Sequence, residues 1–231
     1  MINFSDFEKK IGVKFADKEL LKRAFIHRSY INENPATNFL HNERLEFLGD
    51  AVLELVVTDH LYKTYPIAPE GELTAYRSAL VNTVILSATA EELGMNEFLL
   101  LSKGESRDTG KARMHILANT FESFTGALYL DQGYETASKF IKDALFEKLE
   151  AIVKHKLWRD PKSLIQEKAQ EFVHTTPSYK VLAQSGPDHD KRFTIGIYFG
   201  DELIAEGKGK SKQEGETSAA QAALTAKGWL D

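Results

Sequence analysis

Three carboxylates stand at i, i+3 and i+7 within His41–Asp50: Glu43, Glu46 and Asp50. On a helix turning by roughly 100° per residue they share an arc of about 60°. Leu45, Leu48, Val52 and Leu55 fall on the other side and are the expected core face. Three like charges on one arc repel each other. A divalent cation would offset that repulsion, and hard oxygen ligands suit Mg²⁺ or Mn²⁺. A second source of donors is Asn119 with Glu122, at i and i+3 on an otherwise apolar stretch. A polar pair there is costly unless satisfied. Spacing alone leaves a solvated acidic face and a self-bonded Asn–Glu pair open as alternatives.

The elements that must position these groups are helical up to about residue 155. Phe4, Phe7, Ile11 and Phe15 follow the helical period, and Lys18–Phe25 forms a short helix. Residues 32–42 contain Pro35 and read as a loop. The acid-bearing helix runs from about Asn42 to Tyr65 and stops before Pro66. Another opens at Glu70, with Leu73, Tyr76, Leu80, Val84 and Ala88 on one face, and stops at Gly94. The charged loop 101–111 is expected to be mobile. A long apolar helix follows from about Ala112 to Leu130, Gly133 breaks it, and Tyr134–Lys154 is the last helix of this half.

After a short junction the pattern changes. Asp160 as N-cap and Pro161 at the first helical position open a helix. Residues 179–184, 193–199 and 203–208 read as strands, and an alanine-rich helix covers 212–227. The expected fold is multidomain: an all-α domain over 1–155, then a small α+β module over 160–231.

Composition bounds the function. The chain has 231 residues, is 42% apolar and carries a net charge of −5. Residues 157–231 hold 10 Lys/Arg against 11 Asp/Glu, so neither half is basic overall. Any contact with a polyanion must therefore use concentrated patches. There is no cysteine, hence no disulfide partner and no thiolate metal site. No run is long enough to span a membrane and the N-terminus lacks a signal-peptide pattern, so no membrane partner and a cytoplasmic location are expected.

Asn42-Glu43-Arg44-Leu45-Glu46-Phe47-Leu48-Gly49-Asp50 resembles the signature of the ribonuclease III family. Ile26-His27-Arg28-Ser29-Tyr30 resembles an upstream string of the same domain; His27 is read as a hydrogen-bonded structural residue. Ile116–Phe124 resembles the second acidic motif, with Asn119 where the family carries aspartate, and Gly126–Asp131 resembles the segment that follows. Residues from about Asp160 resemble a double-stranded-RNA-binding domain.

The resemblance implies an endoribonuclease acting on double-stranded RNA in RNA processing and maturation. It would work by metal-assisted phosphodiester hydrolysis, leaving 5′-phosphate and 3′-hydroxyl ends with short 3′ overhangs. Mg²⁺ is the implied cofactor, with Mn²⁺ as a substitute. Glu46, Asn119 and Glu122 would hold metal; Asp50 would bind metal or position the attacking water. Glu43 would contact substrate or a metal-bound water, and Glu70 matches a further acidic position. A homodimer is implied, with the partner covering Phe47. Asn119 brings no charge, so the alternative is a catalytically attenuated RNA-binding protein. A di-metal redox protein is disfavoured, because the helical half lacks Glu-x-x-His pairs.

In the second module, Lys208, Lys210 and Lys212 cluster at a helix start that already favours anions. Ser211 and Glu214 have capping-box spacing. Gln166 and Glu167 are expected to reach ribose hydroxyls in one minor groove and His189 in a second. Gly215, standing where alanine is usual, should cost its helix about 1 kcal/mol.

Overall fold

The computed structural model describes residues 2–154, 156, 158–187 and 191–229. The chain divides after residue 158 into two compact units. The first is helical: α1 (Phe4–Ile11), α2 (Lys18–Ala24), α3 (Arg28–Glu33), α4 (Glu43–Thr64), α5 (Glu70–Leu80), α6 (Thr83–Glu92) and α7 (Lys111–Lys154). Gly133, at φ 80°, interrupts α7. Short 3-10 turns cover Met95–Phe98 and Glu105–Arg107. The core is aromatic at one end, where Phe7, Phe15, Phe25 and Phe124 are fully buried and meet ring to ring. The α4–α7 packing is the most extensive helix contact of the unit. No helix is long and apolar enough to cross a membrane among the described residues.

Three local expectations change. The buried arc of α4 is Leu45, Gly49, Val52, Leu53, Val56, Val57 and Leu61. Leu55, expected in the core, is 57% exposed. The helix is gripped by α7 along the Gly49 side, which rotates the buried arc toward the acids. Glu46 and Asp50 therefore flank the core face and do not stand opposite it. The helix expected from Glu70 to Gly94 is two helices. Asn82 accepts from the backbone N–H groups of Val84 and Ile85, both at 3.0 Å, and so caps α6 afresh. The 101–111 segment is tethered. Arg113 donates to the carbonyls of Asp108 and Glu105 and to the Asn96 side chain, while Ser29 and Glu33 accept from the amides of Ser102 and Lys103.

The second unit runs α8 (Pro161–Val173), β1 (Ser178–Ser185), β2 (Arg192–Phe199), β3 (Glu202–Gly209) and α9 (Lys212–Lys227). The strands form an antiparallel sheet in sequence order. Ile195, Ile197 and Phe199 project from β2 onto Leu164, Ile165 and Ala169 of α8 and Ala219, Ala220, Ala223 and Leu224 of α9. Gly215 is not a plain loss here. A Cβ at that position would lie 2.6 Å from Ile195 Cγ1, so the close approach of helix to sheet needs the missing side chain.

Candidate active site

The start of α4 is fixed from three sides. Asn42 is 3% exposed. Its backbone N–H donates to the Ile26 carbonyl at 2.9 Å and its side-chain amide to the Ala24 carbonyl at 3.2 Å. Its own carbonyl accepts from Ser123 Oγ of α7 at 3.4 Å. Two turns on, Gly49 lets the two helices touch: a Cβ there would overlap the Glu122 carbonyl and lie 2.8 Å from the Gly126 nitrogen. This crossing sets Glu46 and Asp50 of α4 beside Asn119 and Glu122 of α7.

The electrostatics show how close these groups are. Burial, and then the charges of Asp50 and Glu46, push the Glu122 carboxyl up to about 7. Glu46 is also raised, by burial and then by Glu43, with Asp50 adding to it; a hydrogen bond from Asn119 works the other way. Burial and the neighbouring Glu54 raise Asp50. Among the described residues, no three acidic or histidine side chains stand in ready-made metal geometry. The donor set nevertheless fits a hard divalent cation: three carboxylates and one amide oxygen on two facing helices, their ionisation held back by burial and mutual repulsion. A divalent cation would favour the charged forms.

Glu43 stands apart from this set in its partners. Arg28 Nη1 lies 3.2 Å from its Oε1 and His41 Nδ1 3.8 Å from its Oε2. His27 caps α3: its Nδ1 accepts from the Ser29 N–H at 3.3 Å and lies 2.8 Å from Ser29 Oγ. Burial lowers its pKa, as suits a neutral structural imidazole.

In the second unit, Lys208, Lys210 and Lys212 are all exposed around the start of α9. Ser211 Oγ accepts from the Glu214 N–H at 3.1 Å, and the Glu214 carboxylate accepts from the Lys210 N–H at 2.8 Å. The cap is thus a capping box shifted by one residue on its return bond. Gln166 and Glu167 are exposed on α8. Gln166 and Gln213 line one cavity of about 340 Å³, which places both helix starts on a common face. His189 lies outside the described residues.

A Ribonuclease-III-like family model matches residues 17–149, and a double-stranded RNA binding motif matches residues 161–226. A curated relative, Ribonuclease 3 of Borreliella burgdorferi, is 43% identical over 222 residues, spanning 96% of this chain and 90% of its own. Ribonuclease 3 of Enterococcus faecalis is 42% identical over 221 residues, 95% of each chain. The chain belongs to the ribonuclease III family. Among solved structures, the ribonuclease III nuclease domain of Campylobacter jejuni is similar to the first unit. It has a TM-score of 0.55 and 36% identity, covering 62% of this chain and 98% of that one. In that protein a flexible region is involved in dimer formation. The expected fold class, a helical ribonuclease III domain followed by a helix–three strands–helix RNA-binding module, stands.

Within this ribonuclease III chain, Glu70 is not brought to the other acids. It begins α5, accepts from the Thr74 hydroxyl at 3.2 Å and lines a cavity with Thr58 and Tyr62 of the later half of α4. Phe47 projects from the site helix and is 83% exposed. Sequence reasoning missed Asn42, Ser123 and Asp131 as positioning residues. Asp131 accepts from the backbone amides of Ala16 and Asp17 at 2.9 and 2.8 Å, tying the chain before α2 to α7. Burial opposes its ionisation, but these bonds, one from Gln132 and the charge of Lys18 outweigh it, so its pKa is lowered. Only its place in the Gly126–Asp131 motif could have flagged it.

Proposed function

We propose that the protein is an endoribonuclease that cleaves double-stranded RNA by divalent-metal-assisted phosphodiester hydrolysis. The observation that carries this is the α4–α7 crossing, which sets Glu46 and Asp50 beside Glu122 and Asn119 in a chain that also bears a double-stranded RNA binding motif. Glu46, Asn119 and Glu122 would hold Mg²⁺, or Mn²⁺ in its place; Asp50 would complete the set or orient the attacking water. When bound, the metal supplies an activated water and stabilises charge on the leaving oxygen. Without metal, burial and the charges of Asp50 and Glu46 raise Glu122 to about 7, and a bound cation would favour its charged form. Glu43 lies on the substrate side. Products carry 5′-phosphate and 3′-hydroxyl ends.

The RNA-binding face supplies affinity: Lys208, Lys210 and Lys212 meet phosphates, Gln166 and Glu167 meet ribose hydroxyls, and His189 meets the next minor groove. Two copies assemble across the outer side of α4. Phe47, Leu55 and Tyr62 are exposed there, an apolar surface that a second copy would cover. Two sites in one dimer then cut both strands and leave short 3′ overhangs. The setting is processing of ribosomal and messenger RNA precursors in the cytoplasm.

The test is cleavage of an end-labelled RNA duplex with and without Mg²⁺. Metal-dependent cuts on both strands, offset to leave short 3′ overhangs, are expected. Binding without cleavage at high Mg²⁺ and Mn²⁺ would overturn the nuclease reading.

A further inference from the structure

Arg28 is in direct contact with Glu43, the first acid of α4. Its guanidinium reaches Glu43 Oε1 at 3.2 Å, and its side chain is 65% exposed. The contact is the single ion pair found for it among the described residues. A guanidinium has five N–H donors in a fixed fork, so one carboxylate oxygen leaves most of them open to solvent. On its other side Glu43 faces His41, whose Nδ1 is buried, lies 3.8 Å from Glu43 Oε2 and has no hydrogen-bond partner. Glu43 is thus contacted on one oxygen by Arg28 and on the other side by His41, while its charge also reaches Glu46. A cluster of carboxylates also repels the RNA backbone it must approach, and a cation fixed at its edge is what the approach needs.

We propose that Arg28 is a phosphate-binding residue of the nuclease unit and that Glu43 is its anchor, not a metal ligand. The ligand is a backbone phosphate of the RNA duplex. Glu43 holds one edge of the guanidinium, and the free edge takes the phosphate through charge-assisted bonds. The inference rests on the nuclease reading above for its substrate.

The experiment uses the full chain: wild type, Arg28→Ala, Arg28→Lys, Glu43→Gln and the double variant Arg28→Ala/Glu43→Gln. Duplex binding is measured in Ca²⁺ across a salt titration, KM and kcat are measured in Mg²⁺, and Mn²⁺ affinity is followed by electron paramagnetic resonance. Loss of one phosphate contact should flatten the log–log salt slope of Arg28→Ala by about one. KM for the duplex should rise about tenfold with kcat little changed. Arg28→Lys should restore the slope but only part of the affinity. Glu43→Gln should weaken binding in the wild-type background and add little in the Arg28→Ala background. An unchanged slope in Arg28→Ala overturns the proposal. Additive effects of the two single changes, or a Glu43→Gln defect confined to Mn²⁺ affinity, overturn the anchoring role. A wild type that binds duplex but never cuts it defeats the nuclease reading instead, and the salt slope still decides Arg28.

Discussion

Gly49 of α4 and Gly126 of α7 face each other backbone to backbone: a Cβ on Gly126 would overlap the Leu45 carbonyl and lie 2.9 Å from the Gly49 nitrogen. No side chain separates the two helices at this point. The acids on one helix and the amide–acid pair on the other are neighbours because of it. Either glycine changed to alanine forces backbone against backbone, and overpacking of that kind costs about 3 kcal/mol. The unfolding transition of the first unit should fall by roughly 6–12 °C in calorimetry. A fall below about 2 °C, less than 1 kcal/mol, would mean that the crossing is not what sets the helix spacing.

Glu122 supplies a pH signature that needs no activity. Its ordinary value is 4.5 and the fold pushes it up to about 7, through burial first and then Asp50 and Glu46. In metal-free protein, the stability tied to its neutral form is fully present below pH 4.5 and is lost as pH rises through about 7. A divalent cation favours the charged carboxylate, so Mg²⁺ should raise Tm more at about pH 8 than at about pH 5. Glu122→Gln should remove most of that difference. An equal Mg²⁺ effect at both pH values would count against Glu122 as a ligand.

Asn119 faces the Glu46 carboxylate and favours its charged form without adding charge. Asn119→Asp inserts one more anion among Glu46, Asp50 and Glu122. The metal-free variant should melt lower than wild type, and the Mg²⁺ concentration needed for half-maximal cleavage should drop about tenfold or more. If neither changes, residue 119 does not face the cation.

Phe47 is largely exposed on the same helix as the acids. Phe47→Asp should leave the helical content unchanged, convert the sedimenting species to a monomer and abolish paired cuts on the two strands. A variant that still sediments as a dimer would move the interface elsewhere.

Lys210 and Lys212 flank the cap of α9, where the backbone amides already favour an anion. Changing both to alanine should weaken duplex binding and flatten its log–log salt slope by up to about two, without lowering Tm. An unchanged slope would place the phosphate contacts on other residues.

The amino-acid order by itself determined a good deal. Local periodicity put Glu43, Glu46 and Asp50 on one arc and Asn119 with Glu122 on another, because a helix repeats at about 100° per residue whatever surrounds it. Capping chemistry is equally local: Asp160 and Ser211 begin α8 and α9 as their side chains predict. The alternation in residues 193–199 marked the central strand of the second unit. What periodicity does not carry is which arc of a helix is buried. α4 has apolar residues on two sides; periodicity put Leu55 on the core face, and α7 packing along Gly49 buried Val56 instead. Tertiary structure alone also decided that Glu43 leans on Arg28, that Arg113 ties down a loop rich in charge and glycine, and that Gly215 makes room for Ile195. Each depends on contacts between groups far apart in sequence, and those are set by close packing rather than by the pattern of any one segment.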